Sequence, residues 1–97
     1  VTTLFVVHAL DRPGALPVRL AHYDAHKGFL SDTSAHGVGI VMSGPLMSDD
    51  GETMIGSLFL VAAPDRAHVE AFNRADPFHA AGIWQQVTIT RFLRRQG

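Results

Sequence analysis

The sequence predicts an α+β fold in which two helices cover a single face of a four-stranded antiparallel sheet. Three observations predict it: β-branched and aromatic runs near both ends and in the middle of the chain, helix-spaced apolar residues between them, and turn formers at the junctions. The 97 residues suffice for one hydrophobic core and not for two, since units below about 50 residues rarely hold together unaided. Residues 1–97 are therefore read as a single domain.

Thr3-Leu4-Phe5-Val6-Val7-His8-Ala9 forms the first predicted strand, stopped by the turn cluster Asp11-Arg12-Pro13-Gly14. Ala15 to about Ser34 reads as a helix whose core stripe is Leu16, Leu20, Tyr23 and Leu30. Gly28 weakens its far end by up to about 1 kcal/mol relative to alanine. A second strand, Val38 to Met42, runs into Ser43-Gly44-Pro45. The Asp50-Gly51 turn then joins it to a third strand, Thr53 to Ala62, in an antiparallel hairpin. Pro64-Asp65 opens a second helix, packed through Ala67, Val69, Ala71 and Phe72 and ending near Ala75. Asp76-Pro77 starts a short helical piece through Ala81, and Gly82 releases the chain into a last strand, Trp84 to Leu93. The order β-α-β-β-α-β is the ferredoxin-like split arrangement.

The first strand is apolar on both sides, with Leu4 and Val6 pointing one way and Phe5 and Val7 the other. Helices can bury only one of these faces, and the expectation is that Phe5 and Val7 are left uncovered. Burying each is worth roughly 1.5–3 kcal/mol, so a second copy of the chain is the expected cover, two sheets meeting as a dimeric α+β barrel.

Eight basic and nine acidic residues leave a formal charge of −1, with no dense run beyond Arg94-Arg95. A nucleic-acid footprint is not predicted. The absence of cysteine removes disulfides, thiolate metal sites and thiol chemistry, and it fits a reducing, cytoplasmic setting. No run approaches the roughly 18 apolar residues of a membrane span. The stretch Thr2 to Ala9 lacks a basic leader and a cleavage site, and it reads as a strand and not as a signal peptide.

Six histidines are the most informative residues chemically. His22 and His26 lie one turn apart, with Arg19 on nearly the same line. An i, i+4 histidine pair can bind one metal, but the H-E-x-x-H pattern is missing, Asp24 points away and Arg19 would oppose a cation, so no metal is expected. The alternative is a pair of surface histidines on an amphipathic helix. His8 ends the first strand, where it either leans over the sheet edge into a pocket or is buried against a carbonyl. Asp11 shapes the following turn, and Asp76, before Pro77, is a natural helix cap. Gly44 permits close backbone approach, and Ser43 can hydrogen-bond a ligand. His36, His68 and His79 read as solvent-exposed. With no G-x-S-x-G, no Walker loop and no dinucleotide fingerprint, no cofactor is expected.

The segments His8-x-x-Asp11-Arg12-Pro13-Gly14-Ala15, Arg19-Leu20-Ala21, Ala25-His26 and Phe29-Leu30 are followed by Ser43-Gly44-Pro45-Leu46, Gly51 and Gly56-Ser57-Leu58. Glu70-Ala71-Phe72, Ala75-Asp76-Pro77-Phe78 and Ala81-Gly82 complete the pattern. In order and spacing it resembles the YCII-related family over nearly the whole chain, the Asp-Pro-Phe segment being its most specific part. The resemblance implies a ferredoxin-like dimeric α+β barrel and a cofactor-independent enzyme with His26 and Asp76 as its catalytic pair. Arg19, Ser43 and Ser57 match recurring positions near the same pocket, whereas Tyr23-Asp24 departs from the common Arg-Pro before the Ala-His step. His22 occupies a position where the family usually has other residues.

In that reading Asp76 fixes the imidazole tautomer and His26 moves a proton, with acid-base help worth roughly 10²–10⁴ in rate. Arg19 or a backbone N–H at Ser43-Gly44 neutralises a developing oxyanion. His8, Ser57 and Phe78 complete the expected substrate-binding set, with Phe78 and Trp84 lining a pocket for a small phenolic or enol molecule. The expected reaction is proton transfer coupled to elimination, isomerisation or hydrolysis. A non-catalytic ligand-binding or assembly domain is the alternative, and a cofactor-free monooxygenase a weaker one resting on fold analogy alone.

Overall fold

A computed structural model describes residues 3–97; Thr2, where the N-terminal apolar stretch begins, lies outside the described residues. The elements run β1 (Thr3–Asp11), α1 (Leu16–Ala21), α2 (Tyr23–Leu30), a 3₁₀ turn (Ser34–His36), β2 (Gly39–Met47), β3 (Met54–Ala63), α3 (Arg66–Ala75), α4 (Pro77–Ala80) and β4 (Trp84–Phe92). The strands form one antiparallel sheet in the order β2-β3-β1-β4, with the helices on one face. This is the predicted ferredoxin-like arrangement.

β1 is central, pairing with β3 from Thr3↔Ala63 to Leu10↔Gly56 and with β4 from Leu4↔Phe92 to Asp11↔Trp84. Its alternation decides which face is dry. Phe5, Val7 and Ala9 turn toward the helices and join Phe59, Val61, Val69, Phe72 and Phe78 in the core. These faces are the reverse of those expected from the sequence. It is Leu4 and Val6, with His8 and Leu10, that lie on the open face while Phe5 and Val7 join the buried core; both β1 faces are equally apolar in sequence, so the pattern alone does not choose between them.

The segment after β1 is two helices and not one. The break falls at His22 (φ −106°, ψ 8°), whose Nδ1 lies 2.9 Å from the Val18 carbonyl oxygen. The expected apolar stripe is also displaced, since Leu20 is 55% exposed and Tyr23 39%, while Arg19 and His26 are buried at 2% and 6%. Polar heads can replace leucines inside a fold only when each finds partners, and both do.

β2 extends five residues past the expected end at Met42, carrying Ser43, Gly44 and Pro45 into the ladder opposite Phe59, Leu58 and Ser57. Proline is tolerated there because β2 is an edge strand with one side unpaired. The β2–β3 loop closes through Ser48 N–H to Thr53 O and Gly51 N–H to Ser48 O, both 2.8 Å, with Gly51 at φ 75°. On β3, a Cβ at Gly56 would collide with the Ala9 carbonyl oxygen, so only glycine allows the two backbones this approach.

Asp65 caps α3 by accepting from the His68 N–H at 3.0 Å. Val69, Phe72 and Asn73 form the buried side of that helix, while Ala67 and Ala71, expected to pack, face solvent. Asp76 ends α3 and caps α4, and Gly82 at φ 69° turns the chain into β4. No helix among the described residues is long and apolar enough to cross a membrane.

Candidate active site

Asp76 stands between α3 and α4 with extended backbone (φ −65°, ψ 132°), the conformation that a following proline imposes. Its side chain is thereby turned back toward α2. Its Oδ1 accepts the Phe78 N–H at 2.9 Å and lies 2.8 Å from Nδ1 of His26, a residue fifty positions earlier. The cap bond and the contact with the imidazole therefore use the same oxygen. A carboxylate can only accept, so Nδ1 carries the proton in this contact, and in the neutral ring the lone pair is on Nε2. Among the described residues Nε2 has no hydrogen-bond partner.

The imidazole is held on its flanks as well as at its nitrogen. The Phe78 ring stacks on it at 3.9 Å with 7° between planes, and Phe59 meets it edge-on at 6.0 Å. Such packing fixes the direction in which Nε2 points. Asp76 is 1% exposed, and among the described residues its Oδ2 has no hydrogen-bond partner.

Arg19 of α1 builds a second buried pair. Its Nε and Nη2 reach Asp11 Oδ2 and Oδ1 at 2.7 and 2.9 Å, and Nη2 also donates to Ser57 Oγ at 2.8 Å. Two parallel charge-assisted bonds are what make a buried guanidinium tolerable. Its Cζ lies 4.8 Å from the centre of the Phe78 ring, so Phe78 touches both the imidazole and the cation. Asp11, read from sequence as a turn former, is thus the counter-ion of the site. A carboxylate at a strand end, eight residues before a helical arginine, was the signal available. The Asp32 and Asp50 carboxyls, outside the site, are held below the usual carboxylate range by hydrogen bonds from Ser34 and Ser48.

Arg19 and His26, one member of each pair, border a cleft of about 220 Å³ between the first two helices and the β2–β3 hairpin. Arg19, His26, Ser43, Gly44 and Ser57 line it as the sequence predicts, joined by Tyr23, Lys27, Leu30, Pro45 and Phe59, which it did not. Phe59 supplies the aromatic wall expected of Phe78 and Trp84. Those two lie behind His26, with Trp84 edge-on to Phe78 at 6.0 Å. His8 is the exception: opposite Leu58 and Thr88, it lies on the other face of the sheet, one residue out of phase with the core residues Val7 and Ala9. It is not part of this cleft.

Among the described residues no three His, Asp or Glu side chains gather as a metal site would require, and His22 is spent on the Val18 carbonyl. His68 bonds Asp65 at 2.7 Å, and His36, expected to be exposed, is half-buried against Phe29 and Phe72. His79 is exposed.

The profile of the YCII-related domain matches residues 3–93. Among solved structures, the 5-chloro-2-hydroxyhydroquinone dehydrochlorinase of Burkholderia phenoliruptrix, determined in complex with 2,5-dihydroxybenzoquinone, superposes with a TM-score of 0.83 at 31% identity, over 95% of each chain. A Pseudomonas aeruginosa protein superposes at 0.56 with 12% identity, covering 98% of this chain and 95% of its own. An uncharacterized NIPSNAP-domain protein of Burkholderia xenovorans does so at 0.51 with 18% identity, covering 95% and 93%. The last two carry the fold alone. No curated protein sequence matches.

Proposed function

The chain belongs to the YCII-related family, and from that premise we propose that it is a cofactor-independent enzyme moving protons on a small phenolic or enol molecule. The observation that carries the reading is the 2.8 Å contact between His26 Nδ1 and Asp76 Oδ1 at the wall of a cleft. Asp76 holds the imidazole in one tautomer, Nε2 takes a proton from an acidic hydroxyl, and the carboxylate stabilises the imidazolium that results. Ser57 binds the oxygen left behind: Arg19 can only donate to its Oγ, so the hydroxyl proton is free to point into the cleft. Arg19, already committed to Asp11, polarises Ser57 and does not stand free as an anion site.

The relative of Burkholderia phenoliruptrix is named for a chlorinated hydroxyhydroquinone. On such a ring the same parts would suffice. Loss of a hydroxyl proton to Nε2 pushes electrons into the ring, and the imidazolium returns the proton to the chlorine-bearing carbon. A second hydroxyl then gives up its proton, to Nε2 or to water, as chloride leaves with its bonding electrons. The products are a hydroxyquinone, one proton and chloride, with no outside oxidant.

The test is chloride release from 5-chloro-2-hydroxyhydroquinone and its halogenated analogues. His26→Ala should lower kcat by about 10²–10⁴, and retained turnover would remove His26 as the base. Binding of these compounds without any turnover would favour the second reading, a ligand-binding domain in which His26 only hydrogen-bonds its guest.

The open face of the sheet is proposed to pair with a second copy. Leu4, Val6, Leu58, Leu60 and Met42 lie together there across the β1–β3–β2 register, and Met42 is 59% exposed. An apolar sheet face of this kind is covered most simply by its own symmetry mate. A cytoplasmic setting is proposed from the cysteine-free chain.

A further inference from the structure

Tyr23, His26, Lys27 and Leu30 share one face of α2, at spacings of three, four and seven residues, and all four line the cleft. Three basic side chains border this space, Arg19, His26 and Lys27, and no carboxylate does. Asp11 and Asp76 stand behind Arg19 and His26, on the side away from the cleft. Lys27 differs from the other two: it has no ion-pair partner among the described residues, and its Nζ lies 5.3 Å from the centre of the Tyr23 ring at the mouth. A cation resting on an aromatic face keeps its donors free for an incoming acceptor. Leu30, on the same face of α2, and Phe59 and Pro45, across the cleft on the hairpin, are apolar and suit a flat ring.

We propose that Lys27, seated on Tyr23, is the specificity residue of the cleft, selecting a planar ligand that carries a second oxyanion away from the oxygen presented to His26. The ligands bound best are accordingly those with an ionised second oxygen: an acidic hydroxyquinone, a phenol bearing a carboxylate, or an equivalent enol acid. This inference rests on the reading of the cleft as a substrate site and deepens it. It follows that affinity depends on the charge of the ligand and falls with ionic strength, since the mouth is open to solvent.

Calorimetric titration with two probes of the same ring tests it. 2,5-Dihydroxybenzoquinone is a vinylogous acid and is ionised at neutral pH, whereas its 2,5-dimethoxy analogue has nothing to ionise. The wild-type protein should prefer the anion. Lys27→Gln should weaken anion binding by about three- to tenfold, the range between an exposed ion pair and a charge-assisted bond in a half-enclosed cleft. The neutral probe should change by less than about twofold, and Lys27→Arg should keep the preference. An unchanged preference in Lys27→Gln, an equal loss for both probes, or no binding of either probe to the wild-type protein would overturn the proposal. Because the readout is binding, it separates from the catalytic reading: His26→Ala tests the base through turnover, and either result can fail while the other stands.

Discussion

Replacing Asp76 by asparagine separates the two jobs that one oxygen performs. Oδ1 accepts from both the Phe78 N–H and His26 Nδ1. An asparagine can keep both bonds only with its own Oδ1 in that place, because a flipped amide would set N–H against N–H. The variant should therefore retain the cap and the imidazole tautomer and lose only the charge. A hydrogen bond to a charged group is worth about 1.5–3 kcal/mol and a neutral one about 0.5–1.5, so roughly 1–1.5 kcal/mol of support for the imidazolium is lost. Each 1.36 kcal/mol is about tenfold in rate, and kcat should fall by about tenfold with KM little changed. Asp76→Ala, which also frees the ring, should fall by about 10²–10⁴.

Stability should respond as well. The asparagine amide would occupy the buried position of Oδ2, where no partner waits, at a cost of about 1–3 kcal/mol, or about 5–15 °C in Tm for a chain of this size. The assays are chloride release and thermal unfolding on the same preparations. Folded Asp76→Asn and Asp76→Ala variants with wild-type kcat would refute the reasoning, because the carboxylate would then have no part in the chemistry.

Ser57→Ala should lower kcat by about 10²-fold if its hydroxyl binds the developing oxyanion, as measured by steady-state kinetics; an unchanged kcat would leave Ser57 as a partner of Arg19 only. Gly56→Ala should destabilise the fold by about 1–3 kcal/mol, since its Cβ meets the Ala9 carbonyl oxygen and the backbone itself must move; a chemical denaturation curve reads this, and an unshifted midpoint would contradict the close approach. The parent chain should run as a dimer by light scattering, and Leu58→Lys, on the open face of the sheet, should run as a monomer; a monomeric parent chain would contradict the proposed pairing. The Asp65 carboxyl is held below its ordinary value of 3.8, chiefly by the His68 side chain and also by the His68 backbone N–H. Its contribution to stability is thus present above that value and lost as pH falls through the lowered one. Asp65→Ala should lower Tm at neutral pH and flatten the acid end of the Tm profile, and an unaltered acid limb would show that the cap contributes nothing there.

Strand and helix order were legible because each junction carries its own chemistry: Arg12-Pro13-Gly14, Asp50-Gly51, Pro64-Asp65, Asp76-Pro77 and Gly82 each turn or cap the chain locally. The end of β2 was not legible, since Ser43-Gly44-Pro45 reads as a stop and only the presence of β3 on one side makes it a strand. Nor was the choice of face on β1, where Leu4-Phe5-Val6-Val7 offers apolar residues to both sides. Helical periodicity placed Leu20 inside and Arg19 at a polar border; the fold does the reverse because Asp11 and Ser57, distant from each other in sequence, converge on the guanidinium.

The candidate site shows the same division. His26 and Asp76 were marked by motif resemblance, and nothing local reveals that residues fifty positions apart meet at 2.8 Å. Lys27 and Tyr23 carry no motif, and only the cleft gives them a role. His8 was drawn toward the site by its place at a strand end, but the alternation of β1 carries it to the opposite face.

The most direct test of the account is a crystal of this protein soaked with 2,5-dihydroxybenzoquinone. The ring should lie in the cleft against Phe59, with one oxygen about 2.6–3.2 Å from His26 Nε2 and the His26–Asp76 contact intact. A ring bound elsewhere, or seated in the cleft with Nε2 facing no ligand atom, would contradict it.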